Sequence, residues 1–231
     1  MSLTAFATLL ERLAFTPQRL GKERLLADAF TRMPDPERGL MLAALTGDLK
    51  LRQVTPSLLR GLTEMRADAQ LFSYSYDFVG DLAETIALIW PEGTRTDPPL
   101  SEVVHELATA PKTRLPALIT ARLDSLGPSE RYAYLKLATG ALRVGVSARL
   151  ARTAFAAWAN LPLPQVEEIW HALQPPYLDL FAWASGSPRP AGAFAERYPY
   201  ALCRQPPPRL RLRRSSPAPG RGRGPCVAIS G

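Results

Sequence analysis

Cysteine is nearly missing from this 231-residue chain: there are two, Cys203 and Cys226, both close to the C-terminus. Neither a disulfide framework nor a Cys-based metal site can therefore organise the main body. Long apolar runs are missing too. No stretch approaches the roughly 18 to 20 unbroken apolar residues that a bilayer span requires, and the first thirty residues alternate polar and apolar instead of forming a signal-peptide core. The expectation is a cytoplasmic protein with no membrane partner. The chemistry-bearing motifs are absent as well: there is no G-x-x-x-x-G-K-S/T phosphate loop, no G-x-S-x-G elbow, no H-E-x-x-H and no C-x-x-C. The two histidines, His105 and His171, have no His, Cys or carboxylate at metal-ligand spacing and read as partly exposed helix residues. No catalytic residue and no metal ligand is assigned.

What is there begins with charge. The formal net charge is +7, but it is unevenly placed. Met1 to Ser187 carries 19 Lys plus Arg against 20 Asp plus Glu, a net charge of −1; Pro188 to Gly231 carries nine Arg and one acid, Glu196, a net charge of +8. The high isoelectric point is a property of the last 44 residues, so nucleic-acid binding by the body has to come from local patches.

The body reads as helix after helix, because apolar residues recur at three- and four-residue steps. Phe6, Leu9, Leu10 and Leu13 make the first stripe, with Ser2 or Thr4 placed to cap it, and Leu26 with Phe30 follows Pro17. Leu40, Met41, Ala44 and Leu45 make another, closed by Gly47. Thr55-Pro56 is a strong start signal, with Leu58, Leu59, Leu62 and Met65 expected on one face. Asp81 caps a segment that stops at Trp90-Pro91. Residues 92–99 read as a surface loop between two halves of the body. The second half starts at Ser101, breaks at Gly127 and Gly140, and restarts with Ser147 as a cap. The fold class is therefore all-α: one multi-helix domain of about ten to twelve short helices spanning residues 1–187, long enough to bury a real core. Residues 188–231 hold nine of the 23 prolines and nine of the 28 basic residues, and read as a disordered Arg/Pro/Gly-rich tail.

One polar constellation stands out. Thr139-Gly140 ends a helix, Arg143 rides on the following turn, Gly145 lets the backbone approach something closely, and Ser147 opens a helix carrying Arg149 and Arg152. Free amides and the positive end of a helix dipole favour an anion, and the arginines add charge. The competing reading is a plain C-cap and turn, with Arg143 tying two helices together. A second patch, Gly47, Lys50, Arg52, Thr55 and Arg60, again surrounds a helix start. Two such turns on one side of the body would suit duplex DNA, whose phosphates present a charge about every 1.7 Å of axis.

With these stretches in view, the order of segments resembles the N-terminal DNA-binding domain of ATP-dependent DNA ligases, in particular bacterial multi-domain ligases related to the archaeal and eukaryotic replicative type. The likeness rests on Thr16-Pro17 with Lys22 and Leu25-Leu26-Ala27-Asp28, on Leu42 to Leu49, on Val79-Gly80-Asp81-Leu82-Ala83-Glu84, and most specifically on Thr139-Gly140 with Leu142 to Ser147. Glu168-Ile169-Trp170 and Pro175-Pro176-Tyr177 extend it to about Trp183. It implies a helical domain that holds double-stranded or nicked DNA by its backbone, in DNA repair, recombination and replication, with the 139–147 stretch, and Gly47 to Arg52 as well, approaching the strands. A nucleoid-associated monomer is the corresponding expectation.

The departure from the family is the missing K-x-D-G adenylation lysine. Lys22, Lys50, Lys112 and Lys136 are followed by Glu-Arg, Leu-Arg, Thr-Arg and Leu-Ala, so no covalent nucleotidyl step is available and the chain is expected to be inactive alone. ATP and a divalent metal such as Mg belong only to the missing catalytic domain; no cofactor is expected in this chain. The tail reads either as a basic arm that adds affinity for DNA or, the favoured reading, as the product of a lost reading frame near Ser187. Beside the DNA-binding module stand two alternatives: a domain working in trans with a separate nucleotidyltransferase chain, and a helical protein–protein adaptor that binds no DNA.

Overall fold

Leu3, Phe6, Leu10 and Leu13 fall on one side of α1 (Leu3–Ala14) and are buried there. Ser2 is its cap, accepting from the Ala5 amide. Thr4 instead binds Asp97 through both its amide and its hydroxyl, and this joins α1 to the 92–99 loop. In α2 (Arg19–Arg32) the buried face runs Lys22, Leu26, Ala29, Phe30. Nearly all of α3 (Glu37–Thr46) is buried, and it ends at Gly47 with φ +80°, a left-handed turn that glycine makes without a Cβ penalty. The computed structural model describes residues 2–51 and 54–190; the expected disorder of the tail lies, from residue 191 onward, outside the described residues, as does Arg52.

Thr55-Pro56 starts α4 (Pro56–Glu64) as its chemistry predicts: the Thr55 hydroxyl accepts from the Leu58 amide at 3.3 Å. Met65 does not extend that buried face. It lies past the last helical residue and is exposed, because the chain turns there to begin a further helix. That helix, α5 (Ala69–Val79), is capped by Asp68 and buries only Phe72. Asp81 caps α6 (Leu82–Ile89), accepting from the Glu84 amide at 3.0 Å, while its other oxygen takes a 2.6 Å bond from Lys136. Burial raises the Asp81 pKa, yet the Lys136 ammonium and the Glu84 and Ala83 amides outweigh it and hold the carboxyl below its ordinary range.

The second half supplies α7 (Leu100–Thr109), α8 (Leu115–Ser125), α9 (Pro128–Thr139), α10 (Ala148–Trp158), α11 (Leu163–Trp170) and α12 (Leu178–Ala184). Among the described residues the only β interaction is a single bridge between Ser2 and Pro99. The two halves do not stand apart. α10 lies along α2, α9 packs against both α1 and α6, and α3 touches α7 and α10, so one apolar core is continuous from Leu3 to Phe181. Within it Phe30, Phe155 and Phe181, with the half-buried Trp158, form a ring cluster with centroids 5.3–5.9 Å apart, each pair adding roughly 0.5–1.5 kcal/mol beyond its burial. Buried polar groups join the layers. Glu37 accepts from the Ser101 amide and hydroxyl, fixing the start of α3 to the start of α7, and Arg131 donates to the carbonyls of Leu123, Trp90 and Pro91. No helix among the described residues is long and apolar enough to cross a membrane.

Candidate nucleic-acid interface

The segment between α9 and α10 is the hub of the surface. α9 ends at Gly140, φ +67°, with the Thr139 hydroxyl bonded back to the Leu135 carbonyl at 2.7 Å. The chain then runs through Arg143 and Gly145, φ +66°, to Ser147, whose hydroxyl accepts from the Leu150 amide at 3.1 Å and opens α10. Arg143, Gly145, Ser147 and Arg149 are all exposed. Arg143 does not tie two helices together: among the described residues it makes no ion pair and no side-chain hydrogen bond, which removes the plain structural reading of that arginine.

The two sequence patches come together. The Gly47 turn and the Gly140 turn border the same surface groove, about 330 Å³ in volume, which is closed at its far side by Val146 and Ala148 at the start of α10. The Val54 amide donates to the Ala138 carbonyl at 3.0 Å, and so the strand of chain leading into α4 is pinned against the end of α9. Lys50 and Thr55 are exposed beside it. Arg60, one turn into α4, is exposed and stacks its guanidinium 4.6 Å from the Tyr76 ring centre.

Residues 145–149 alternate in direction. Val146 and Ala148 face the first groove, whereas Gly145, Ser147 and Arg149 face a second, of about 270 Å³, whose other wall is Pro17, Arg19 and Lys22. Arg143 belongs to a third, more apolar groove with Leu10, Phe15, Leu88 and Tyr132. Arg143 and Arg149 therefore flank one loop from two sides.

Arg152 is not part of that arrangement. It lines none of the three grooves; it packs toward α11, its guanidinium 5.7 Å from the Trp170 ring centre and its Nε buried without a partner among the described residues. Nearby, Asp48 accepts from the Thr46 hydroxyl at 2.6 Å and from the Tyr177 hydroxyl at 2.5 Å. Burial, reinforced by that carboxylate, holds the phenol well above its ordinary pKa, so Tyr177 stays a donor. The carboxylate next to the Gly47 turn is thereby bonded by two hydroxyls, although Asp48 itself is exposed.

Sequence reasoning missed Lys22. It is only 8% exposed and donates from Nζ to the Val144 carbonyl at 2.7 Å and the Gly145 carbonyl at 3.0 Å. The signal was a lysine in line with the apolar stripe of α2, one turn before Leu26. Among the described residues there is no cluster of His, Cys, Asp or Glu able to hold a metal ion, and both histidines are exposed on or beside separate helices.

Fold and site together define an all-α domain that gathers helix ends and left-handed glycine turns around shallow grooves: the first has no charged lining residue, the second is cationic through Arg19, Lys22 and Arg149, and the third sets Arg143 beside Glu11 and Glu84. The chain matches no protein-family model and no curated protein.

Proposed function

We propose that the helical body binds duplex DNA by its sugar–phosphate backbone, as the DNA-holding module of an ATP-dependent ligase whose adenylating machinery lies outside this chain. The observation that carries the reading is the convergence of the Gly47 turn, the Gly140 turn and the start of α10 on one groove. At the Gly47 and Gly140 turns the amides bond back into α3 and α9, so the group that favours an anion here is the start of the eleven-residue α10, which presents the positive end of its dipole. Exposed cations stand on the segments that lead away from these turns: Lys50 after Gly47, Arg143 after Gly140 and Arg149 at the start of α10, with Arg60 further along on α4. A body of net charge −1 then grips a polyanion through a few placed contacts and not through its overall field. A protein–protein adaptor predicts instead that the body has no affinity for DNA once the tail is removed.

The buried core lies within residues 3–181, so a chain ended at Ser187 keeps it whole. That shortened chain is expected to bind nicked duplex, with affinity falling steeply as salt rises, and Arg143→Ala is expected to weaken it about tenfold, the worth of one charge-assisted contact. Fluorescence anisotropy with a labelled nicked duplex measures both. Complete loss of binding in the shortened chain assigns the interaction to the tail and ends the reading.

A further inference from the structure

We propose that Lys22 is a positioning residue for phosphate capture: it never touches the DNA, but it aims the amides of Gly145 and Val146 outward at a backbone phosphate. The inference rests on the DNA-binding reading and adds the mechanism of its central loop. Lys22 Nζ draws the carbonyls of Val144 and Gly145 inward at 2.7 and 3.0 Å. In a trans peptide the N–H points opposite to the C=O, so the next amides in sequence, those of Gly145 and Val146, are turned away from the lysine. Neither has an acceptor among the described residues. Two successive outward amides around a residue of positive φ make a concave anion seat.

The identity of residue 145 follows from the same contact. A Cβ there would collide with the Lys22 ammonium, and φ of +66° disfavours any side chain. The lysine's charge adds a second argument. Buried cations are ordinarily paired, yet no carboxylate among the described residues pairs with Lys22. Its partners are two neutral carbonyls. The neighbouring cations on its groove are Arg19, which Glu23 pairs at 2.8 Å, and Arg149, which is free of ion pairs among the described residues. A phosphate diester on the outer face of the loop supplies the missing countercharge without displacing anything.

The test uses the full chain and two probes, inorganic phosphate and a nicked duplex. In the wild type, phosphate is expected to shift the backbone amide protons of Gly145 and Val146 downfield in a 1H–15N spectrum. Lys22→Met, which keeps the length and loses the charge, is expected to retain its helical circular dichroism, lose those two shifts, bind the duplex about tenfold more weakly, and show a log K against log salt slope shallower by about 0.9, one phosphate contact. A folded Lys22→Met that keeps either the shifts or the slope overturns the proposal, since a purely structural lysine would change stability alone. If Lys22→Met does not fold, the wild-type titration decides: phosphate must move Gly145 and Val146, and silence at both overturns it. If the wild type shows the shifts but no duplex affinity, the DNA reading fails while the role of Lys22 stands.

Discussion

Arg131 shows how one side chain can close several layers at once. It is 1% exposed, and its guanidinium donates to Leu123, Trp90 and Pro91 carbonyls at 2.7–2.8 Å, joining the end of α8, the end of α6 and the start of the 92–99 loop. Burial pulls its pKa below the ordinary arginine value, but a guanidinium has far to fall before it loses its proton. Arg131→Met removes three charge-assisted bonds and takes the partner from the Leu123 and Trp90 carbonyls in the interior, so a loss of about 3 kcal/mol is expected in urea unfolding. Arg131→Lys should recover less than half of it, because one ammonium cannot reproduce the planar fork. Neither Arg131 nor Lys22 was legible as a tie in the sequence. Each sits on a helix at the spacing of core residues, and only the fold shows which distant carbonyls, Trp90 or Val144, it meets. The exposed arginines were easier: Arg143 and Arg149 stand beside glycine turns and a serine cap, whose conformations are local properties.

Helix ends were the most legible elements, because caps depend on residues three or four apart. Ser2, Thr55, Asp81 and Ser147 each accept the amide their position predicts, and Gly47 and Gly140 each take the left-handed conformation. The opposite case is α5, which no apolar stripe marks: Phe72, Tyr74 and Tyr76 alternate with serines, and only Phe72 is buried. Tyr76 is half-buried against the core, while Leu71, Tyr74 and Phe78 face solvent, Phe78 92% exposed. What holds it is the Asp68 carboxylate, accepting from Gln70 and Leu71 amides at 2.9 and 2.8 Å, and Gly80 at its end with φ +74°. A helix with one buried side chain depends on its caps. Asp68→Ala is expected to cost about 1 kcal/mol, and amide hydrogen exchange should show α5 opening well before α9, faster still in the variant.

At the scale of the whole molecule the sequence suggested two halves joined by the 92–99 loop, and the loop is indeed exposed along most of its length. Its position on the surface was readable from polar, turn-forming residues; the interleaving of the halves was not, since contacts between residues a hundred positions apart leave no local pattern. α9 wedges between α1 and α6, and α10 lies along α2. Glu37 and Ser101 bond across 64 positions of chain, and Trp158 donates to Thr31 across 127. Neither half can then keep its buried face covered alone, because the residues that cover it belong to the other. The four tryptophans sample this arrangement at separate places: Trp90 at the end of α6, Trp158 in the ring cluster beside Phe30, Trp170 against Tyr177, and Trp183 in α12. The expected outcome is one cooperative transition, with tryptophan fluorescence and far-ultraviolet circular dichroism giving coincident urea curves. Helix α5, with its single fully buried side chain, carries no tryptophan and should add only a shallow pre-transition slope to the dichroism. Two separated transitions would mean that the half from α7 onward folds by itself, and the shared wall between the Gly47 and Gly140 turns would then not be a fixed surface on which two phosphate contacts can be spaced.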